Sequence, residues 1–331
     1  MNVLYTCDNN YVWLLGISAI SMFENNKELQ NLNVYLLGEN ISNENKQILT
    51  KIGEKYNRQI TIIEVPKIDI PEALVSARWP LSAFTRLYAG ELLPDNVDRV
   101  LYLDCDSIIK GDLSELDAWN VSGKIFWGIK DCIGKEYKKN IGIGTDGLYV
   151  NAGVLLINLT ELRKVSIKEK LSAYMHQYEN YINYADQDVL NGAFNGTIGV
   201  LPPQYDVMTI AATYSYKDIV RLRKPTNYYS QKEIDDAVAN PIIIHYTTNM
   251  RTVRPWFTNS NHPFSNDFML YMKKSPWVDR RLSEMKFTSS ESKVIGVVEK
   301  LPGFFSKTLL GILHSSIKPR VIRMKARKAE K

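Results

Sequence analysis

Short apolar runs alternate along the first hundred residues with longer segments whose apolar positions recur at helical spacing. The apolar runs predict β-strands over residues 2–6, 33–38, 59–65 and 99–104, and the segments between them predict helices over residues 12–23, 39–56 and 82–93. Strands that alternate with helices of this length are typical of βαβ units and a largely parallel sheet. The pattern therefore predicts an α/β fold that binds ligands beyond the carboxyl ends of its strands.

The pattern continues beyond residue 100. Residues 147–159 predict a strand pair or a strand with a turn, residues 159–180 predict a helix, and residues 241–248 predict a buried strand that ends in His245. After about Lys273 the sequence becomes basic and amphipathic. We therefore expect a main domain over residues 1–270 and a basic helical region over residues 271–331.

Two Asp-x-Asp triplets, residues 104–106 and 186–188, are the first candidate chemistry. Such a triplet is usually a solvated strand end or a helix cap, but Asp104 ends an apolar run, where a carboxylate normally needs a partner or a metal. Neighbouring carboxylates repel unless a cation or a proton lies between them. Oxygen ligands suit Mg²⁺ or Mn²⁺ bound together with a phosphate group. A haloacid-dehalogenase-type phosphatase is disfavoured, because its triplet normally follows the first strand, which here ends in Cys7-Asp8.

One histidine and a pair of arginines extend the candidate site. His245 at the end of its strand is either a packed core residue or a third metal ligand, if the fold brings it to the same edge as Asp104. Arg251 and Arg254 precede Pro255-Trp256 and form either a solvated loop or a cationic lid over a diphosphate.

Composition and charge are those of a globular protein with an unusual C-terminus. The chain has 331 residues, of which 45% are hydrophobic and 23% charged. Its three cysteines form no CxxC motif, which is typical of a reducing compartment, and the sequence shows neither a signal peptide nor a stretch of about 20 apolar residues. These features predict a cytoplasmic location. The net charge of +5 divides into +8 for residues 300–331 and −3 for the rest.

The basic tail carries an apolar face. Phe305, Leu309, Ile312 and Leu313 recur at helical spacing and are followed by Lys and Arg residues. The segment is therefore either a terminal helix docked on the main domain or, as we favour, an amphipathic helix on the anionic inner face of a membrane. Nucleic acid is not an expected partner, because no known binding module is present and the main domain is acidic.

Six segments together resemble glycosyltransferase family 8, which contains bacterial lipooligosaccharide galactosyltransferases and glycogenin. They are VLYTCDNNY, SAFTRLYAGELLP, RVLYLDCDSIIKGDLSEL, YVNAGVLLINL, ADQDVLN and HYTT…RPW, in family order between Met1 and Trp256. The resemblance implies a GT-A fold, Rossmann-like with a mostly parallel mixed sheet, and transfer of a hexose from a UDP-sugar with retention of configuration, using Mn²⁺ or Mg²⁺.

The resemblance also implies roles for individual residues. The metal ligands would be Asp104, Asp106 and His245. Gln187 or Asp188 would be the catalytic residue near the anomeric carbon. The UDP-sugar would contact Thr6, Cys7, Asp8, Asn10, Tyr11, Arg86, Asp104, Cys105, Asp106, Asn151, Ala152, Gly153, Asp186, Gln187 and Arg254. The chain departs from the family pattern H-[FY]-x-G-x-x-K-P-W, since Thr248 replaces the glycine and Arg254 the lysine, with a longer spacing to the tryptophan.

Together these observations predict a metal-dependent, retaining enzyme that transfers galactose or glucose from UDP-galactose or UDP-glucose and forms an α-linkage. The predicted acceptor is a cell-surface glycan precursor, of capsule, exopolysaccharide or lipopolysaccharide type and lipid-linked, reached from the inner face of the cell membrane. Two alternatives stay open: a protein glycosyltransferase of the same family that modifies an adhesin, and a non-catalytic protein that binds sugar nucleotides.

Overall fold

The computed structural model describes residues 1–66, 68, 70, 74, 81–249, 252–286, 288 and 303–329. The described strands are β1 (Asn2–Asp8), β2 (Asn33–Glu39), β3 (Gln59–Glu64), β4 (Arg99–Leu103), β5 (Ser107–Ile109), β6 (Phe126–Lys130), β7 (Val150–Asn158), β8 (Ile198–Val200), β9 (Val207–Met208) and β10 (Ile243–His245). The described helices are α1 (Val12–Asn25), α2 (Asn43–Lys55), α3 (Leu81–Phe84), α4 (Ala89–Leu92), α5 (Ser114–Asp117), α6 (Lys135–Asn140), α7 (Leu159–Leu162), α8 (Ile167–Tyr178), α9 (Ala185–Ala193), α10 (Thr209–Thr213), α11 (Tyr216–Arg223), α12 (Gln231–Ala239), α13 (Ser265–Met272), α14 (Gly303–Ile312) and α15 (Lys318–Ala329).

Within the described residues, the main sheet has seven strands in the order β3-β2-β1-β4-β7-β6-β8. The first four strands in this order run parallel, whereas β7 runs antiparallel to both β4 and β6. The predicted α/β fold with a mostly parallel mixed sheet is therefore confirmed. Because β1 and β4 are parallel neighbours, the polar residues that follow them lie at the same edge of the sheet.

Apolar residues cover both faces of this sheet, which explains why its strands read as continuous apolar runs. In β4, Leu101 and Leu103 belong to the apolar cluster that includes α1, whereas Val100 and Tyr102 belong to the cluster that includes α8 and α9. The alternation is the two-residue period of a strand buried on both sides. A carboxylate therefore first becomes tolerable at Asp104, where the strand ends.

A second sheet of three strands, in the order β5-β10-β9, lies beyond the end of β4. Strand β5 follows β4 after a turn at residues 104–106, and it pairs antiparallel with β10 so that Ser107 is opposite His245. Strand β9 pairs parallel with β10 on the other side, with Met208 opposite His245. This small sheet brings the late histidine to the turn that carries the first Asp-x-Asp triplet.

Two predicted helices are interrupted in the structure. The segment 82–93 divides into α3, a 3-10 turn at Thr85–Tyr88 and α4. The segment 159–180 divides into α7 and α8. Between these two helices, Arg163 donates hydrogen bonds to the carbonyl oxygens of Gly90 and Val97 at 3.1 and 2.9 Å. Helical spacing of apolar positions continues across both breaks, so periodicity alone did not reveal them.

The C-terminal helices α14 and α15 dock on the main domain, which is one of the two arrangements that the sequence left open. Glu136 of α6 accepts a hydrogen bond from Arg323 at 2.5 Å. At Gly311 the helix backbone comes so close to α11 that a Cβ atom would collide with the carbonyl oxygen of Arg221. Residues 289–302, which join these helices to the main domain, and Arg251 lie outside the described residues. No helix among the described residues is both long and apolar enough to span a membrane.

Candidate active site

A cleft of about 580 Å³ opens at the carboxyl ends of β1 and β4. It brings together nearly all of the residues predicted for the donor and the metal. Those that line it are Thr6, Cys7, Asp8, Tyr11, Arg86, Asp104, Cys105, Asp106, Asn151, Ala152, Gly153, Asp186, Gln187, His245 and Arg254. Asn10 and Asp188 are the predicted site residues that do not line it.

Asp104, Asp106 and His245 form the candidate metal centre. The His245 Nε2 atom lies 3.5 Å from Asp104 Oδ2 and 3.4 Å from Asp106 Oδ1. One ligand atom from each residue can be chosen so that all three lie within 4.8 Å of one another. Two carboxylates and an imidazole fit a divalent cation that also binds phosphate oxygens.

Asp206 orients this histidine from the side away from the cleft, although no sequence motif marks this aspartate. Its Oδ1 atom lies 2.9 Å from His245 Nδ1, which leaves Nε2 to face the cleft. Its Oδ2 atom is buried without a hydrogen-bond partner among the described residues, and burial raises the pKa of Asp206. Burial alone would lower the pKa of His245, but Asp206 and the two cleft carboxylates raise it well above its ordinary value. The environment is thus strongly negative and suits a cation.

Gly153 lets the metal centre form against the backbone of β7. A Cβ atom at this position would collide with the His245 ring and would lie 2.8 Å from Asp104 Oδ2. The backbone also fixes the aspartate, since Asp104 N donates to Gly153 O at 2.7 Å. Only glycine leaves room here for both side chains.

Arg86 connects the two Asp-x-Asp triplets. Its Nη1 atom lies 2.9 Å from Asp104 Oδ1 and donates to Ala152 O at 2.5 Å, while its Nε atom lies 3.2 Å from Asp186 Oδ2. Its guanidinium also stacks on the ring of Tyr102, at 4.2 Å from the ring centroid. Asp104 is partly buried, which opposes ionisation, but Arg86 and then His245 hold its pKa well below the usual range. Burial raises the pKa of Asp186 to about 6.

Gln187 faces the cleft from the start of α9. Its Oε1 atom accepts hydrogen bonds from Asn151 Nδ2 at 3.0 Å and from Ala152 N at 3.1 Å. Its Nε2 atom donates to Asp131 Oδ2 at 2.9 Å. Three groups of the cleft wall thus fix the amide of Gln187.

Asp188 points away from the cleft. It accepts hydrogen bonds from the hydroxyl of Tyr149 at 2.6 Å and from the backbone N–H groups of Asn183 and Tyr184 at 2.7 and 2.8 Å. Burial raises its pKa. The structure therefore does not bring Asp188 to the position that a catalytic contact would need; it uses this carboxylate to hold the loop before α9.

Most of the residues predicted to hold the nucleotide also line the cleft. Tyr11 is 42% exposed at the mouth, where its ring is available for stacking. Asn10 supports Asp8 from outside the cleft, because its backbone N–H donates to Asp8 Oδ1 at 2.8 Å. Arg254 lies 3.4 Å from Asp106 Oδ2 and stacks over Trp256 at 4.6 Å, so its charge lies beside the metal centre.

Three residues of the site, Asp131, Arg223 and Asp206, were missed in the sequence. Asp131 directly follows β6 and lines the cleft. A carboxylate directly after a strand is also the signal that singles out Asp104, but no strand is predicted from the sequence of residues 126–130. Arg223 ends α11 and also lines the cleft. No motif marks Arg223 or Asp206, since tertiary packing alone brings them to the site.

Comparison with known proteins is consistent with this geometry. The model of Glycosyl transferase family 8 matches residues 2–260. General stress protein A of Bacillus subtilis is 24% identical over 84% of this chain and 94% of its own. Lipopolysaccharide 1,2-glucosyltransferase of Escherichia coli K12 is 28% identical over 84% of this chain and 79% of its own. Among solved structures, the fold matches the crystal structure of galactosyltransferase LgtC in complex with donor and acceptor sugar analogs, with a TM-score of 0.70. The two sequences are 23% identical, and the match covers 85% of this chain and 100% of the LgtC chain.

The fold is therefore that of a GT-A-type glycosyltransferase. Because the family model matches residues 2–260, which are most of the chain, the chain belongs to Glycosyl transferase family 8.

Proposed function

We propose that this glycosyltransferase transfers galactose or glucose from a UDP-sugar to a cell-surface glycan, with retention of configuration and formation of an α-linkage. The observation that carries the proposal is one cleft that is lined both by the cluster of Asp104, Asp106 and His245 and by Gln187. A nucleotide stacked on Tyr11 would place its diphosphate beside this Asp-Asp-His centre and its sugar against Gln187. The names of the relatives, a glucosyltransferase and a galactosyltransferase, support a hexose donor.

The residues present fit a divalent cation, Mn²⁺ or Mg²⁺, held by Asp104, Asp106 and His245. Such a cation would neutralise the charge that develops on the diphosphate leaving group. Arg254 adds a guanidinium beside Asp106 for the same phosphate oxygens. Arg86 and Asp186 would orient the hydroxyl groups of the donor sugar, since both lie buried in the cleft wall.

Gln187 is the group that we place against the anomeric carbon. Its amide oxygen is held by Asn151 and Ala152, so it is fixed before substrate binds. This geometry suits stabilisation of positive charge at the anomeric carbon while the acceptor hydroxyl approaches from the same face. Asp188 would act as a positioning residue, because it does not line the cleft and its oxygens hold Tyr149 and the loop backbone.

The test is a panel of UDP-sugars with Mn²⁺, in which release of UDP is measured with and without candidate glycans. UDP-galactose or UDP-glucose should support release, and EDTA should stop it. Release from neither donor, or release that EDTA leaves unchanged, would contradict the proposal.

We also propose that the C-terminal helices hold the enzyme on the inner face of the cell membrane, where a lipid-linked glycan of lipopolysaccharide, capsule or exopolysaccharide type would be the acceptor. The small residues of these helices face the protein, and their large apolar residues face solvent, which is the reverse of an ordinary surface helix. The buried small residues are Ser306, Gly311, Ser315, Pro319 and Ala326. The exposed large residues are Phe304, Phe305, Leu309, Ile312, Leu313, Ile317, Val321 and Met324. Basic residues beside them suit anionic headgroups.

Substitution of the outward face tests the membrane proposal more cleanly than removal of the tail, which would also uncover the docked surface. The variant Phe305→Ser/Leu309→Ser should float less with phosphatidylglycerol vesicles than the unaltered protein, because about 0.8 kcal/mol is lost for each CH₂ group no longer buried. Leu270→Ser/Val278→Ser is the matched control, since both residues are exposed outside the tail. Flotation that is unchanged in the tail variant, or that is equal with phosphatidylcholine vesicles, would argue against the proposal.

A further inference from the structure

The cleft is also lined by Asp131, Cys132, Tyr184 and Arg223, which contact neither the donor nor the metal in the proposed function. Asp131 accepts a hydrogen bond from Gln187 at 2.9 Å, so part of the cleft beside Gln187 remains unassigned. Since the proposed function places the nucleotide at Tyr11 and the sugar at Gln187, this remaining space is where an acceptor would approach the anomeric carbon.

Arg223 gives this space a positive charge that no carboxylate among the described residues contacts. Among the described residues no aspartate or glutamate oxygen lies within 4.0 Å of its guanidinium, although the structure contains many such pairs elsewhere. The nearby carboxylate of Asp131 is hydrogen-bonded to Gln187 at 2.9 Å. A half-buried guanidinium at a cleft wall, without an ion pair, is suited to an anionic ligand.

His314 of the C-terminal segment holds this guanidinium in place. Its Nε2 atom lies 2.7 Å from Arg223 Nη1 and 3.3 Å from the hydroxyl of Tyr184, another residue of the cleft wall. Burial, followed by the charges of Arg223 and Lys318, lowers the pKa of His314 to about 3, so the ring is neutral and accepts the hydrogen bond. His314 lies in the π-helical turn Leu313–Ile317 between α14 and α15, and such a turn is frequently found at functional sites.

We propose that Arg223, positioned by His314, binds an anionic group, a phosphate or a carboxylate, on the acceptor sugar. The inference rests on the proposed function and deepens it, because it gives the acceptor a chemical class. The C-terminal segment then has two faces with different tasks: an outward apolar face, and an inward histidine that completes the acceptor side of the cleft.

The test uses the full-length protein with Mn²⁺, UDP-galactose and UDP-glucose, and matched sets of methyl hexosides. Each set contains a neutral galactoside or glucoside, its 6-phosphate and its uronate, and each compound is measured as an acceptor and as an inhibitor of UDP release. We expect the unaltered protein to prefer an anionic member by roughly 10- to 100-fold in kcat/KM or in inhibition constant, as a charge-assisted hydrogen bond gives. The phosphate and uronate arms show which anion is bound.

The variants identify the residue responsible. Arg223→Gln should remove the preference, and Arg223→Lys should keep part of it, because lysine retains the charge without the planar fork. Arg221→Gln, two residues earlier on the same helix and paired with Asp218, is the control and should keep the preference. His314→Ala should raise KM for the anionic acceptor more than for its neutral partner, whereas His314→Gln, whose side-chain oxygen can accept from Arg223, should restore the ratio.

Equal values for the neutral and anionic members, no effect of any member on UDP release, or a preference that survives in Arg223→Gln would each overturn the inference. UDP release without acceptor is measured in parallel and reports the donor reaction alone. If release occurs and discrimination does not, the inference is wrong and the proposed function stands. If neither donor gives release, the proposed function is contradicted and the inference falls with it.

Discussion

Replacing Asp106 with alanine is expected to lower the rate of UDP release by about 10³-fold. The substitution removes one of the three predicted ligands, Asp104, Asp106 and His245, from the metal centre. A metal ion typically contributes several kcal/mol to stabilisation of a charged transition state, and about 1.4 kcal/mol corresponds to a tenfold change in rate. The measurement is UDP release over a Mn²⁺ titration, together with Mn²⁺ binding by calorimetry.

Asp235→Ala is the matched control for this variant, because Asp235 is an exposed aspartate on α12, outside the cleft. The control should release UDP at the rate of the unaltered protein. Full activity in Asp106→Ala, or a loss of activity with Mn²⁺ affinity unchanged, would show that the carboxylate is not a metal ligand.

Replacing Arg86 with methionine is expected to lower the free energy of unfolding by about 3–5 kcal/mol and to remove activity. Arg86 is 6% exposed and compensates Asp104 and Asp186 together. Without the guanidinium, the buried carboxylate of Asp186 and the partly buried carboxylate of Asp104 remain as neighbours with no arginine between them. Urea unfolding at neutral pH measures the free energy of unfolding. The slope of this free energy against urea concentration should stay unchanged, which shows that the substitution alters stability and not the two-state behaviour.

A double variant separates charge from packing. In Arg86→Met/Asp186→Asn one of the two uncompensated carboxylates is also removed, so part of the lost stability should return, whereas activity should not. If the single variant stays within about 1 kcal/mol of the unaltered protein, the two carboxylates are not held by Arg86 in solution. If the double variant is less stable than the single one, the loss arises from packing and not from charge.

Much of the fold follows from the sequence because local patterns determine it. Strands β1 and β4 are buried on both faces, so they read as apolar runs that end in polar residues. Parallel strands end at one edge of a sheet, and this places Asp8 and Asp104 together without any knowledge of contacts. Periodicity predicted that helices exist, but not that Thr85–Tyr88 or Arg163 interrupt them.

The roles of consecutive residues in the second triplet depend on tertiary structure. Asp186 bonds Arg86, Gln187 faces the cleft and Asp188 bonds Tyr149, although the three are adjacent in the sequence. The three residues lie in the first turn of α9, in which successive side chains point about 100° apart. Ala185, the residue at which this helix begins, has a positive φ of 42°. A sequence pattern gives the spacing of side chains on such a helix but not which of them meets the cleft.

What the sequence determined by itself is the alternation of strands and helices from β1 to β4, the edge at which Asp104 lies, and an apolar face in the tail. What only the tertiary structure decided is the contact partner of each distant residue. His245 reaches Asp104 through the pairing of β10 with β5, and Arg223 reaches the cleft against His314. The tail helix turns Phe305 outward because its small residues approach the main domain more closely than a phenylalanine would allow. Periodicity is a local property, whereas these placements result from packing between elements that are far apart in the sequence.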